Sequence, residues 1–156
     1  MNHADFLEMA CAEGLRGMNA NEGGPFGAVV VLNGEVIGRG HNRVTSTNDP
    51  TAHAEVKAIR MACKEMGQFH LPGAVLYSSC EPCPMCLAAV YWANISAVYY
   101  AATRDEAAAI GFNDKFIYDE IPLDPEDRSI RFVNLKSESA AKLFEAWRLK
   151  EDRRAY

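Results

Sequence analysis

Apolar positions change period several times along the chain. Over residues 4–18, Phe6, Leu7, Met9, Ala10, Leu15 and Met18 recur at roughly helical spacing with Glu8, Glu13 and Arg16 elsewhere, which predicts an amphipathic helix. Gly23-Gly24-Pro25-Phe26-Gly27 then breaks the pattern and frees the backbone around one aromatic ring. Such a loop either approaches a ligand closely or is a plain turn. Two β-branched runs, 28–32 and 35–40, flank Asn33-Gly34, a strong hairpin signal that makes them antiparallel neighbours.

A polar stretch follows to Asp49-Pro50-Thr51, helix-starting chemistry that places His53 in or near the first turn of a helix. Ala58, Ile59, Ala62 and Met66 carry that helix to Gly67, and Cys63 falls on its apolar side, the ordinary place of a small buried hydrophobe. Residues 74–77 form a short apolar strand between Pro72-Gly73 and Ser78-Ser79-Cys80. Joined through a helix to the strand before it, it is expected to pair in parallel by a right-handed crossover. Pro84 suits the first position of another helix, with Cys83 just before it and Cys86 in its first turn. That helix ends at Asn94, and 97–101 read as a further buried strand. Residues 105–110 predict a short helix and 111–114 a turn. Residues 116–129 read as mostly loop and 130–135 as a fifth strand. Ala140, Leu143, Phe144 and Trp147 share one face of a final helix.

Length and charge narrow the partners. At 156 residues the chain fits one domain, and the sequence holds nothing repetitive or low in complexity. A formal net charge of -5 opposes any partner held chiefly through phosphates, so no nucleic acid is expected and a small neutral substrate suits better. Arg148, Lys150, Arg153 and Arg154 cluster near the end, where a charge run is ordinarily a solvated face. The first residues lack the basic start and apolar core of a signal peptide, so the cytoplasm is the expected compartment. Residues 82–103 carry no charge and nominally could span a membrane. Two prolines, two cysteines, Asn94 and Ser96 argue instead for helix, turn and strand, with no membrane association. Five cysteines are an odd number, and three of them fall within seven residues at metal-ligand spacing, which disfavours a disulfide framework.

The chemistry concentrates in His53-Ala54-Glu55 and Pro82-Cys83-Pro84-Met85-Cys86. One imidazole and two thiolates are three good ligands for one tetrahedral zinc ion, leaving a fourth position open for water, as catalytic sites do. A helix beginning at Pro84 would favour both thiolates through its positive end. Positions two apart on a helix do not share a face, so Glu55 is suited to reach around the metal as a proton carrier rather than to join His53 in binding it. Other readings stay open on the residues alone. Cys80, Cys83 and Cys86 form a C-x-x-C-x-x-C run that with His53 could close a structural zinc site, or with Cys11 or Cys63 hold an iron–sulfur cluster. A zinc-stabilised interaction module without turnover fits the same ligands.

H-x-E followed by P-C-x-x-C is the signature of the zinc-dependent nucleobase deaminases, and at these residues the chain resembles the cytidine deaminase superfamily. Beyond that core, Gly23 to Ala28, Asn48 to Glu55, Tyr91-Trp92-Ala93, Gly111-Phe112-Asn113-Asp114, Phe116-Ile117-Tyr118 and the terminal Tyr156 look like the short bacterial guanine deaminase branch. The resemblance implies a three-layer α/β/α fold with a five-stranded mixed sheet and one zinc ion per chain on His53, Cys83 and Cys86. It also implies conversion of guanine and water to xanthine and ammonia with Glu55 as proton shuttle. By the same resemblance Asn42 and Asp114 would hydrogen-bond the purine, Ala54 would contact it, and Phe26 and Trp92 would bracket its ring. A homodimer would follow in which 137–156, the last helix and tail of a single 1–156 deaminase domain, exchanges between subunits and brings Tyr156 over the partner's site. The same fold also serves other amino-heterocycles, nucleosides and RNA adenosine.

Overall fold

A computed structural model describes all residues, 1–156, and divides them into two compact units, 1–114 and 115–156. The first unit contains a mixed sheet between helical layers. Helix α1 (His3–Asn19) is closed at its start by a reciprocal capping pair, Asn2 with Asp5, which satisfies N–H groups that the helix leaves orphaned. Strands β1 (Gly27–Leu32) and β2 (Glu35–His41) form the expected hairpin. Asn33 and Gly34 both have positive φ, 52° and 82°, the geometry that matches the twist of adjoining strands.

After β2 come α2 (Val44–Thr47), α3 (Ala54–Met66), β3 (Val75–Cys80), α4 (Pro84–Trp92), β4 (Ala97–Ala102) and α5 (Arg104–Ala109). The sheet order is β2-β1-β3-β4, with β1 antiparallel to both neighbours and β3 parallel to β4. The crossover from β2 therefore returns a strand running the same way, but β1 lies between the two, so β3 pairs with β1 and not with β2. Alternation along β1 and β3 divides the core. Val29, Val31 and Tyr77 meet Phe6 and Ala10 of α1 on one face. Ala28, Val30 and Leu76 meet Ala54, Ala58, Ile59 and Ala62 of α3 and Val90 of α4 on the other. A Cβ on Gly40 would lie 2.4 Å from the Ala54 carbonyl oxygen, so that glycine lets the start of α3 rest directly on β2.

Four expectations need correction. The sheet has four strands and not five: residues 131–137 form no strand, and Ile130, Phe132, Val133 and Leu135 are exposed. A β-branched run becomes a strand only with an edge to pair against, and local propensity supplies none. Strand β4 is partly exposed, with Tyr99 and Tyr100 at the surface, because it forms the sheet edge. Asp49 does not start α3. Its side chain accepts from the Thr51 N–H and hydroxyl, making a local turn, and His53 with extended backbone takes the cap position. In the second unit, residues expected as loop include α6 (Lys115–Glu120), followed by a single 3-10 turn, 125–127. Helix α7 (Glu138–Leu149) is capped by Ser137, and Leu143, Phe144 and Trp147 lie exposed on it.

Candidate active site

Two helix starts converge on one crevice. His53 caps α3 and Cys83 caps α4; neither makes a side-chain capping bond, so both side chains are free for other chemistry. Pro84 at the first position of α4 costs no hydrogen bond and places Cys86 in the first turn. His53 Nδ1 lies 3.4 Å from Cys83 Sγ and 3.5 Å from Cys86 Sγ. A tetrahedral zinc ion with Zn–N of about 2.05 Å and Zn–S of about 2.3 Å calls for N···S edges of roughly 3.6 Å, so the donor set fits the ion.

The three donors share protons among themselves. Cys83 is pushed well below the usual thiol range, chiefly by its contact with the Cys86 sulfur and then by His53, while Cys86 is raised by the same contact and by burial. His53 is raised, mainly through its bond to Cys83. A divalent cation replaces these shared protons when it binds. Cys80 stands apart. It is buried, its thiol faces the Thr103 carbonyl at 3.8 Å, and burial with the Glu55, Glu81 and Asp114 charges pushes it up to about 11. The atoms that come within 4.8 Å of one another belong to His53, Cys83 and Cys86 alone, so the closed Cys3His arrangement and the iron–sulfur reading lack their extra thiolate.

Glu55 is 6% exposed and reaches from the first turn of α3 into the same crevice. Its Oε1 accepts from Ser78 Oγ at 3.0 Å and its Oε2 from Cys86 Sγ at 3.3 Å. Burial raises its carboxyl above the ordinary range, opposed by those hydrogen bonds and one from its own backbone N–H. Ser78 escaped the reading of the sequence. Its signal was a polar residue at the position after Leu76 on the same face of a buried strand, a place that demands a partner.

Asn42 is buried immediately after β2. Its Oδ1 accepts from the Gly24 and Val44 N–H groups at 3.3 and 3.1 Å, which occupies both lone pairs. Only its amide N–H groups remain for a ligand. Ala54 packs its methyl into the core, so a ligand could meet only its main chain at the helix start. Phe26 is half-buried and meets the Phe112 ring edge-on at 4.8 Å. Asp114 is half-buried, with its carboxyl raised by desolvation and further by the Cys83 charge. Trp92 lies at the other end of the helix that Cys83 caps. It ends α4, nine residues or roughly 13 Å of helix rise from Cys83, and is 64% exposed. Tyr156 belongs to the second unit and is exposed.

Residues 1–102 match the cytidine and deoxycytidylate deaminase zinc-binding region, and the chain belongs to that family. Among its relatives is the guanine deaminase of Bacillus subtilis (strain 168), 51% identical over 156 residues and covering 100% of both chains. The X-ray structure of guanine deaminase from Bacillus subtilis superposes with a TM-score of 0.97, covering 100% of this chain and 99% of that one at 51% identity. A tRNA-specific adenosine deaminase from Agrobacterium fabrum (strain C58 / ATCC 33970) is 46% identical, covering 71% of this chain and 72% of its own length.

Proposed function

We propose that this enzyme hydrolyses guanine to xanthine and ammonia, with one zinc ion held by His53, Cys83 and Cys86. The observation that carries the proposal is the buried Glu55 carboxyl, with Oε2 3.3 Å from the Cys86 sulfur, beside three donor atoms spaced for zinc. When bound, zinc lowers the pKa of a water ligand from about 15.7 to roughly 7, which makes the nucleophile available at neutral pH.

The chain's own residues do the rest. Glu55, its carboxyl raised by burial, is suited to hold and pass a proton: it takes one from the attacking water and delivers it to a ring nitrogen, then takes the second from the new C2 hydroxyl and gives it to the amine that departs from C2. The Asn42 amide N–H groups face acceptors on the purine and Asp114 accepts from its N–H groups. Phe26, backed by Phe112, offers an aromatic wall. On the core side the site is walled by packed side chains, with Ala54 fully buried among them.

A homodimer completes the proposal, with 137–156 exchanged so that Tyr156 serves the partner's crevice. Trp92, at the far end of α4 from its own metal residues, would then act across a subunit boundary. Support comes from exposed apolar side chains on β4, α4 and α7, among them Tyr100, Tyr91, Phe144 and Trp147, a larger exposure than isolated surface residues ordinarily give. No helix is long and apolar enough to cross a membrane, and a cytoplasmic setting is part of the proposal.

The similarity to a tRNA-specific adenosine deaminase favours a second reading, deamination of adenosine in RNA. It sits less well with the full-length match to a guanine deaminase and with a net charge of -5. Ammonia release over guanine, guanosine, adenine, cytosine, cytidine, an aminotriazine and an adenosine-containing RNA hairpin tests both. Turnover of guanine above all others is expected; inactivity on guanine would overturn the substrate assignment while leaving the metal centre in place.

A further inference from the structure

Away from the metal crevice, a groove of about 510 Å³ lies between α1, β2 and α3. It runs along the free edge of β2, since the sheet order places that strand outermost. Six cationic side chains converge on it from α1, β2, α3 and the turn between β2 and α2: Arg16, Arg39, Arg43, Lys57, Arg60 and Lys64. None belongs to the metal and Glu55 set.

Two carboxylates form ion pairs with them. Glu13 pairs with Arg16 at 2.6 Å and lies 3.8 Å from Arg39, and Glu22 lies 2.8 Å from Arg43. Six cations less Glu13, Glu22 and Asp49, whose carboxyl feels the Arg60 and Lys57 charges, leave three positive charges around one concavity, in a chain whose net charge is -5. Lys57, Arg60 and Lys64 project from one face of α3 at helical spacing and form no ion pair. Three lysines and arginines on one helix would be an ordinary solvated face. Facing Arg16, Arg39 and Arg43 across a groove, they repel one another unless an anion lies between them.

The floor of the groove supplies a second, independent observation. The Arg39 main-chain N–H, on the outer edge of the sheet, donates only to Met61 Sδ at 3.4 Å, and a thioether is a weak acceptor. His41 Nε2 and Arg43 Nε lie 3.3 and 2.8 Å from the same Glu22 oxygen, Oε2, so one carboxylate oxygen serves both cationic side chains. A main-chain donor with a weak acceptor and more cations than carboxylates meet in the same place.

We infer that this groove binds a polyphosphate chain, free or as part of a nucleotide. Such a chain carries three or four negative charges, matching the surplus, and each phosphate presents oxygens in the geometry that guanidinium groups bind in pairs. A cavity of this volume holds a ligand of nucleotide size. The inference does not rest on the proposed reaction, because it concerns binding at residues the reaction does not use.

Calorimetric titration of the full-length, zinc-loaded protein with tripolyphosphate at low ionic strength tests it. One saturable site per chain is expected, with orthophosphate weaker and affinity falling as salt rises. Arg60→Glu with Lys64→Glu should weaken binding at least about tenfold, since each reversal removes an attraction and adds a repulsion. Lys136→Glu with Lys142→Glu makes the same change in net charge elsewhere and should leave binding unaltered. Arg39→Gln provides a separate check should the first pair disturb α3. Tighter binding of ATP or GTP than of tripolyphosphate would add a base contact; equal binding would assign the site to the chain alone. No saturable binding at low salt, equal weakening by both charge-reversed pairs, or binding of single-stranded RNA without tripolyphosphate would overturn the inference.

Discussion

Ser78 Oγ donates to Glu55 Oε1 across 3.0 Å, tying the sheet to the first turn of α3 inside the protein. The bond holds the carboxyl by one oxygen and leaves the other toward Cys86. Glu55 is the proton carrier in the proposed reaction and Ser78 its positioning residue. Glu55→Gln should keep its zinc and lose roughly 10² to 10⁴ in kcat. Ser78→Ala should lower kcat by about tenfold with KM and zinc content little changed, since an unpaired buried carboxylate oxygen costs about 1–3 kcal/mol. Ser78→Thr should restore much of the rate. Ammonia release and zinc analysis on the same preparations decide it; full activity in Ser78→Ala would remove Ser78 from the mechanism.

Cys80 should be dispensable for metal. Cys80→Ala is expected to retain one zinc per chain, while Cys83→Ala loses it, because Cys80 faces Thr103 and not the other donors. Equal loss from both variants would establish a closed site.

The same thiol should mark the alkaline limit of stability. Its folded pKa of about 11 stands above its usual 9.0, so the native state keeps a proton that the unfolded chain gives up. That contribution is complete below pH 9 and is lost as pH rises toward 11, amounting to about 3 kcal/mol over two pH units. Denaturant titrations at pH 8, 9, 10 and 11 should show the decline in wild type and a flatter course in Cys80→Ala.

Asn42 divides its two ends between fold and ligand. Asn42→Asp keeps an oxygen for the Gly24 and Val44 N–H groups but removes the amide donor, so KM should rise at least tenfold, roughly the worth of one hydrogen bond, with little change in Tm. Gly23→Ala attacks the same contact from outside, because its Cβ would lie 2.2 Å from the Asn42 carbonyl oxygen. It should cost about 1–3 kcal/mol of stability and raise KM as the loop shifts. Thermal melts with steady-state kinetics separate the two effects.

Removing the last few residues tests the exchanged tail. In the proposed dimer, loss of Tyr156 raises KM or abolishes turnover while zinc stays bound. Unchanged kinetics, or a monomer by analytical ultracentrifugation that is fully active, would exclude a role for the neighbour's tail.

Legibility followed the range of the interactions involved. Asn33-Gly34, Pro84 and the spacing of Cys83 and Cys86 act within a few residues of themselves, so the hairpin, the start of α4 and the pair of thiolate ligands could be read directly. Local chemistry also misled. Asp49 satisfies its own turn rather than α3, and the β-branched run at 130–135 found no edge to join. Propensity describes what a segment can do, and pairing depends on what stands beside it.

The sequence by itself singled out His53, Cys83 and Cys86 as candidate metal ligands and Glu55 as candidate proton carrier, and through its resemblance the layered α/β class, because these signals lie in residue type and in the motifs around them. Only the tertiary structure decided that Ser78 orients Glu55, that Cys80 turns away from the metal, and that Asn42 has its acceptor already filled. Those facts depend on contacts between residues 2 to 23 positions apart, several of them bridging separate elements. Which buried polar group meets which is settled by how the sheet and helices pack, and no single stretch of chain records that choice.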